Sequence, residues 1–318
     1  MARTATSRYN MCMIQTRHYN NLTWVDVESP STSEILELVN TYGLSTRIGE
    51  DMRSNNSKPR IEYHDSYIYL VLHIPVRTKA KGKYSIEEKE IDFIIAKDFL
   101  ITIKYTMIES LHNFSKVFET DAIIDKKNLG NHAGFIFYYM LKRIYSHMLK
   151  DLESMKGSLV YAEGKIFDGD ERHMVEVLSN ISRELIDLKQ SSRLHKEVIE
   201  AFAPIAHRFF GPDFKSYVDD ILKEYTKIHD LVGNYRELLN ELRETNDSIL
   251  STKQNEVMKT LTVVAFIAFP MTVISEIFTM NTVYTPLVGV PHDFEIILGF
   301  MLVVAFTIFA IVKYKKWL

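Results

Sequence analysis

The strongest constraint in this sequence is the run from Asn255 to Asn281, NEVMKTLTVVAFIAFPMTVISEIFTMN. From Leu261 onward it is apolar and long enough to cross a bilayer, which takes ~20 residues of helix. Yet it carries Pro270, Thr272 and Glu276 inside the span. Steps of three and four residues pick out Asn255, Met258, Thr262, Ala265, Phe269, Thr272, Glu276 and Thr279, and the residues between them are mostly Val, Ile, Phe and Leu. The helix therefore has one small or polar stripe on a greasy surface. A carboxylate near mid-bilayer is costly and normally faces protein or water, which places the stripe along an aqueous path. One helix cannot enclose a path, so this reading requires an oligomer with several copies of the stripe around a common axis.

The same three-four stepping runs backwards through Ser251, Ser248, Glu244, Glu241 and Glu237. Between Asp213 and Pro270 there is no proline and Gly233 is the sole glycine, so one helix over 213–280, on the order of 100 Å long, is expected. Its first part would be a cytosolic stalk and its last part, about 258–280, the first membrane span. Glu237, Glu241 and Glu244 would then form an acidic approach to the span, suited to concentrating cations. The alternative is the solvated side of an ordinary coiled helix.

A loop over 281–293 without Lys or Arg leads to a second apolar span, 294–312, and the tail 313–318 reads KYKKWL. Lys313, Lys315 and Lys316 directly after that span put the loop outside and both termini in the cytosol of a cell membrane protein, with Tyr314 and Trp317 in the inner interface. The start, MARTATSRYN, has no apolar run after its basic residues, so no signal peptide is expected.

Upstream, residues 1–106 read as a cytosolic α/β domain. Leu22 to Glu28 alternates as a strand, Ser31 to Gly43 as a capped helix, and Ser66 to Val76, KEIDFIIA and FLITIKY as further strands. The segment RIGEDMRSNNSKPRIEYHD between helix and strand reads as loop. Residues 107–212 read as helical: a short stretch over 107–120, then long helices from Gly134 to about Ile166 and from Glu171 to Phe202, joined by a polar turn into an antiparallel hairpin. The segment AFAPIAHRFFGPD is expected to interrupt the helical pattern.

A net charge of -3 with dispersed Lys and Arg gives no field for nucleic acid. Cys12 is the single cysteine, which excludes disulfides and cysteine-based metal sites within one chain. The dispersed histidines, among them His64, His73, His132, His195 and His229, read as surface or core residues. No phosphate-binding loop of the GxxxxGK[ST] type occurs, so ATP-driven pumping has no support, and no nucleophile-base pairing points to an enzyme.

NEVMKTLT leading into the first span, the PMT of Pro270 to Thr272, the terminal Met280-Asn281 and the closing Lys-Trp-Leu together resemble the CorA family of divalent cation channels. LTWVDVESP, the EDMRSNNSKPRIEYHDSYIYLVL run and FLITIKY are similar to that family's cytosolic domain, so the resemblance covers nearly the whole chain. It implies an α+β cytosolic domain, a long helical stalk and two C-terminal transmembrane helices assembled into a homopentameric funnel in membrane lipid. By the same resemblance Asn255, Met258, Leu261, Phe269 and Thr272 line the pore, the apolar ones as a constriction. Met280 and Asn281 are the end of a Gly-Met-Asn signature whose Asn ring binds a hydrated magnesium ion at the outer mouth. Asp219 and Asp220 lie where a regulatory divalent metal would bind between subunits.

Two positions depart from the pattern. Thr279 stands where the signature has glycine, and Glu276 stands where a small residue is usual; as a ring of carboxylates it would bind a cation more strongly than an amide ring. The resemblance implies a divalent ion, Mg2+ first, and these departures leave Co2+, Ni2+, Zn2+ or even a monovalent ion open beside it. Two readings stay open beside this one: a signalling effector gated by a ligand of the cytosolic domain, and a zinc-transporting branch of the family. Glu276 could instead pair with a Lys or hydroxyl between helices, and Thr262 and Thr272 could merely bond their own backbone.

Overall fold

The computed structural model describes residues 13–19, 21–53, 57–80, 82–119, 131–280 and 287–315. The chain divides into two compact units, 1–242 and 243–318.

The first unit is built on six strands: β1 (Met13–Tyr19), β2 (Leu22–Glu28), β3 (Arg60–Tyr63), β4 (Ile68–Ala80), β5 (Lys83–Ile95) and β6 (Phe99–Lys104). They lie side by side in the order β1-β2-β6-β5-β4-β3, with β2 and β6 parallel and every other neighbour antiparallel. Alternation along each strand sends residues to two faces. On one face Val25, Val27, Tyr69, Val71, Ile94, Ile101 and Ile103 form a core with Ile35 and Leu38 of α1 (Thr32–Tyr42) and Ile48 of α2 (Thr46–Asp51). Helix α1 starts where it does because Ser31 and Glu34 cap each other's backbone groups, and it ends at Gly43, left-handed with φ 63°.

On the other face the rings interlock with helices. Trp24 meets Phe114 of α3 (Glu109–Glu119) at 5.5 Å, and Phe93 meets Phe137 of α4 (Gly134–Phe167) at 5.1 Å. Phe137 in turn meets Phe202 of α6 (His195–Phe210) at 5.2 Å. Helices α4 and α5 (Glu171–Ser192) form the expected hairpin around the polar turn at 168–170. Arg77 of β4 ties this hairpin to the sheet through Glu184 at 2.7 Å and Ser154 at 2.7 Å, with the guanidinium nearly buried.

Three local expectations change. The segment expected as loop after Gly43 contains α2, six residues capped by Ser45 and too short for a helical period to show, and the four-residue β3, at the lower limit for strand alternation. Strand β1, at the sheet edge, has no sequence signature of its own. Within AFAPIAHRFFGPD the interruption comes at Gly211 and Pro212, whereas Pro204 sits inside α6, where the one backbone bond it forfeits belongs to the carbonyl of solvent-exposed Glu200; the helix expected over Glu171 to Phe202 is itself broken at Arg193 and Leu194.

Helix α7 (Lys215–Thr279) follows a single 3-10 turn at Pro212–Phe214, and α8 (Asp293–Tyr314) follows it in the second unit. Among the described residues two helices are long and apolar enough to cross a membrane, one ending at Thr279 and the other being α8. The fold is thus the expected α+β domain, long helix and pair of C-terminal apolar helices.

Candidate pore and its flanking acidic groups

Within the second unit, exposure is lost on α7 at Val263, Ile267, Pro270, Met271, Ile274 and Phe278. On α8 it is lost at Ile297, Met301, Val304, Ala305, Ile308 and Val312. Both series advance in threes and fours, which is how two helices bury one stripe each. Near Thr279 the two helices leave a mostly apolar cleft of about 360 Å3, bordered by Ser275, Phe278 and Thr279 on one side and Phe294, Ile297 and Met301 on the other.

The packed series fixes the direction of the remaining stripe. At about 100° per residue, Met258, Phe269 and Thr272 lie within roughly 40° of Glu276, whereas the packed positions centre about half a turn away. Met258, Phe269 and Glu276 are all exposed, Phe269 at 72%. No described cation pairs with Glu276, so the alternative of an ion pair inside its own chain has no partner among the described residues.

The threonines use their hydroxyl protons locally. Thr262 donates to the Met258 carbonyl at 2.8 Å and Thr272 to the Ala268 carbonyl at 3.1 Å, each bonding its own helix backbone. Thr279 donates to the carbonyls of Ser275 and Glu276, each at 3.1 Å, and borders the cleft against α8. Its side chain thus serves the helix end and the cleft. Asn255 and Met258 are exposed, and Leu261 lies with Val257 and Val264 along a shallow groove. Met280 is exposed at the end of α7, and Asn281 lies outside the described residues. Glu237, Glu241 and Glu244 are exposed on the side of α7 away from buried Leu239 and Leu242.

Of the carboxylates expected to hold a regulatory metal, Asp220 is already engaged. It accepts from Tyr138 at 2.6 Å and from Lys142 at 2.8 Å, and the Lys142 ammonium, then the Tyr138 hydroxyl, hold its carboxyl below its usual range. Asp219 beside it is half-exposed. Among the described residues no group of three or more His, Cys, Asp and Glu side chains is arranged to hold a metal ion.

Sequence reading missed a buried polar cluster in the sheet. His73 on β4 faces Glu90 on β5, and Glu88 and Asp92 share that face of β5. The signal was present as carboxylates at every second position of EEKEID, a period that puts all three on one side of a strand.

The family profile described as CorA-like Mg2+ transporter protein matches residues 19–315. The chain is 25% identical over 310 residues to the cobalt/magnesium transport protein CorA of Methanocaldococcus jannaschii, covering 93% of this chain and 92% of that protein. It is 23% identical over 298 residues to the protein of the same name from Thermotoga maritima, covering 93% and 83% respectively. The complete structure of the CorA magnesium transporter from Methanocaldococcus jannaschii superposes with a TM-score of 0.79 at 21% identity, over 94% of this chain and 92% of that one.

Proposed function

The chain belongs to the CorA-like Mg2+ transporter family, and from that premise we propose that it is a passive channel for divalent metal cations, lined by α7 in a ring of identical subunits. The observation that carries this reading is the opposition of two stripes on one helix: α8 occupies the side of Val263, Ile274 and Phe278, and the side of Phe269, Thr272 and Glu276 is left open. A carboxylate on the open side of an apolar helix has to face water or other copies of itself.

Five copies close the ring in this proposal, as the family resemblance implies. Residues 1–106 and 107–212 lie in the cytosol, 213–280 form stalk and first span, 281–293 the outer loop, 294–312 the second span and 313–318 a basic inner tail. The charge pattern supports that orientation, since Lys313 and Lys315 follow the second span and no Lys or Arg lies between the spans. A hydrated ion is gathered at Asn281, passes Glu276 and Thr272, crosses the greasy neck at Phe269, Leu261 and Met258, and leaves past Asn255 into the acidic approach of Glu244, Glu241 and Glu237. Mg2+ leads the order of ions, because its shell is hard to strip and both amide and carboxylate oxygens can hold that shell intact. Co2+, which the names of two relatives couple with magnesium, follows, with Ni2+ and Zn2+ behind it.

The test is uptake into liposomes carrying the purified full chain, with a potential negative inside and no nucleotide present. Saturable entry of Mg2+ and Co2+ that outcompetes Na+ is expected. Absence of divalent entry, or entry only with ATP, overturns the proposal.

A further inference from the structure

The cluster in the sheet surrounds a cavity of about 300 Å3 bordered by Ser57, Lys58, His73, Glu88, Glu90 and Tyr105. The His73 ring is held from both sides. Its Nδ1 bonds the Glu88 carboxylate, and its Nε2 lies 2.7 Å from the Ser57 carbonyl oxygen and 3.7 Å from Glu90 Oε2. Glu90, only 8% exposed and bordering the cavity, accepts the Ser57 N–H through Oε2 at 3.0 Å, whereas its Oε1 is buried with no partner among the described residues. Behind it Asp92, wholly buried, accepts from the Tyr69 hydroxyl at 3.1 Å through Oδ2 and leaves Oδ1 equally unpartnered. Lys89, which also borders the cavity, spends its ammonium on the Met107 carbonyl at 3.2 Å and on Glu87 at 3.7 Å.

Glu90 Oε1 and Asp92 Oδ1 are buried acceptors without a hydrogen-bond partner among the described residues, and each such acceptor costs about 1–3 kcal/mol. A carboxylate on the far nitrogen of an imidazole is the arrangement that orients metal-binding histidines. Two ligands on one transition metal ion at ~2.1 Å each stand roughly 3.0–3.4 Å apart, and Nε2, Ser57 O and Glu90 Oε2 already fall on either side of that spacing. We propose that this cavity binds a first-row transition metal ion through His73 Nε2, the Glu90 carboxylate and the Ser57 carbonyl, with cavity water completing its shell. An imidazole with carboxylate and carbonyl oxygens selects Co2+, Ni2+ or Zn2+ over Mg2+. On binding, the metal takes the place of the proton that Nε2 shares with Ser57, and that proton leaves to solvent. The site lies wholly in the α/β unit and does not depend on the pore reading.

Co2+ reports directly, since an imidazole ligand changes its visible absorption. Titrating the metal-stripped full chain in detergent is expected to give a saturable Co2+ spectrum at one ion per chain, together with a rise in melting temperature. His73→Gln and Glu90→Gln should each weaken Co2+ at least tenfold. Glu88→Gln, which loosens the ring but keeps both ligands, should weaken it less. Melting of each variant in EDTA shows that it is folded. The same Co2+ affinity and spectrum in wild type, His73→Gln and Glu90→Gln overturn the proposal, and so does Mg2+ displacing Co2+ at equal concentration.

Discussion

Phe278 and Glu276 are two residues apart on α7 and face opposite ways: Phe278 is half-buried in the cleft against α8, and Glu276 stands exposed on the far side of the helix. Packing against α8 thus chooses which residues of α7 stay open. Replacing Glu276 by Gln keeps shape and hydrogen bonding but removes the charge. The half-saturating Mg2+ or Co2+ concentration for liposome uptake is expected to rise about tenfold, equivalent to ~1.4 kcal/mol per ion. Glu276→Asp should stay near wild type. Unchanged saturation in Glu276→Gln would remove this residue from the ion path while leaving the channel reading intact.

Lys104 and Asp26 form a buried pair at 2.7 Å, 4% and 7% exposed, and Thr102 links Asp26 at 2.9 Å to Trp24 at 3.0 Å. Lys104→Met leaves a buried carboxylate without its cation and is expected to destabilise the sheet by about 3–5 kcal/mol. Asp26→Leu combined with Lys104→Met should recover most of that loss. Equilibrium denaturation of the four chains checks it, and a double variant as weak as Lys104→Met alone would contradict it.

His195 is wholly buried, and burial lowers its imidazole from 6.5 to about 4. The neutral ring is fully used: Nε2–H donates to the His73 carbonyl at 2.8 Å and Nδ1 accepts from the Tyr145 hydroxyl at 3.1 Å. The folded value lies below the unfolded one, so the unfolded chain takes up the proton first as pH falls. This contribution is complete above about pH 6.5 and is lost progressively between 6.5 and 4, at up to about 1.4 kcal/mol per pH unit. His132, lowered to about 4 by burial and then by Lys97, acts in the same window. The melting temperature is expected to drop across that range, less steeply in His195→Gln. An equal slope in the variant would assign the acid sensitivity elsewhere.

Gly211 ends α6 at φ 103° and ψ 169°, a conformation open to glycine alone, with no atom within 4 Å of a would-be Cβ. Gly211→Ala should therefore cost about 1–3 kcal/mol through the backbone only. Gly157, exposed inside α4 with the same open surroundings, should respond the other way, Gly157→Ala gaining about 0.5–1 kcal/mol. Thermal melts of the two variants test the contrast, and a loss in both would point to side-chain crowding.

Long, periodic and strongly apolar stretches were legible because each announces its own partner solvent. The span ending at Thr279, α8, the α4 and α5 hairpin and strands β2, β4, β5 and β6 repeat their pattern over enough residues to be read alone. Helix α2 and strand β3 were not, since six residues hold less than two helical turns and four residues only two strand repeats. Pro204 misled for a related reason: its effect depends on whether water can take the freed carbonyl of Glu200, and exposure is a tertiary property.

By itself, the sequence determined that an apolar helix carries a line of Asn255, Met258, Phe269, Thr272 and Glu276, because residue spacing on a helix is fixed by its 3.6-residue turn. It also determined the α+β character upstream and the acidic flank at Glu237, Glu241 and Glu244. Only the tertiary structure decided that α8 covers the opposite side of that helix, that Thr279 borders the cleft, and that Asp220 is held by Lys142 and Tyr138. It alone also brought His73, Glu90 and Ser57 together across β4 and β5. These are contacts between residues distant in the chain, set by complementary packing, and periodicity within one segment carries no information about what lies across from it.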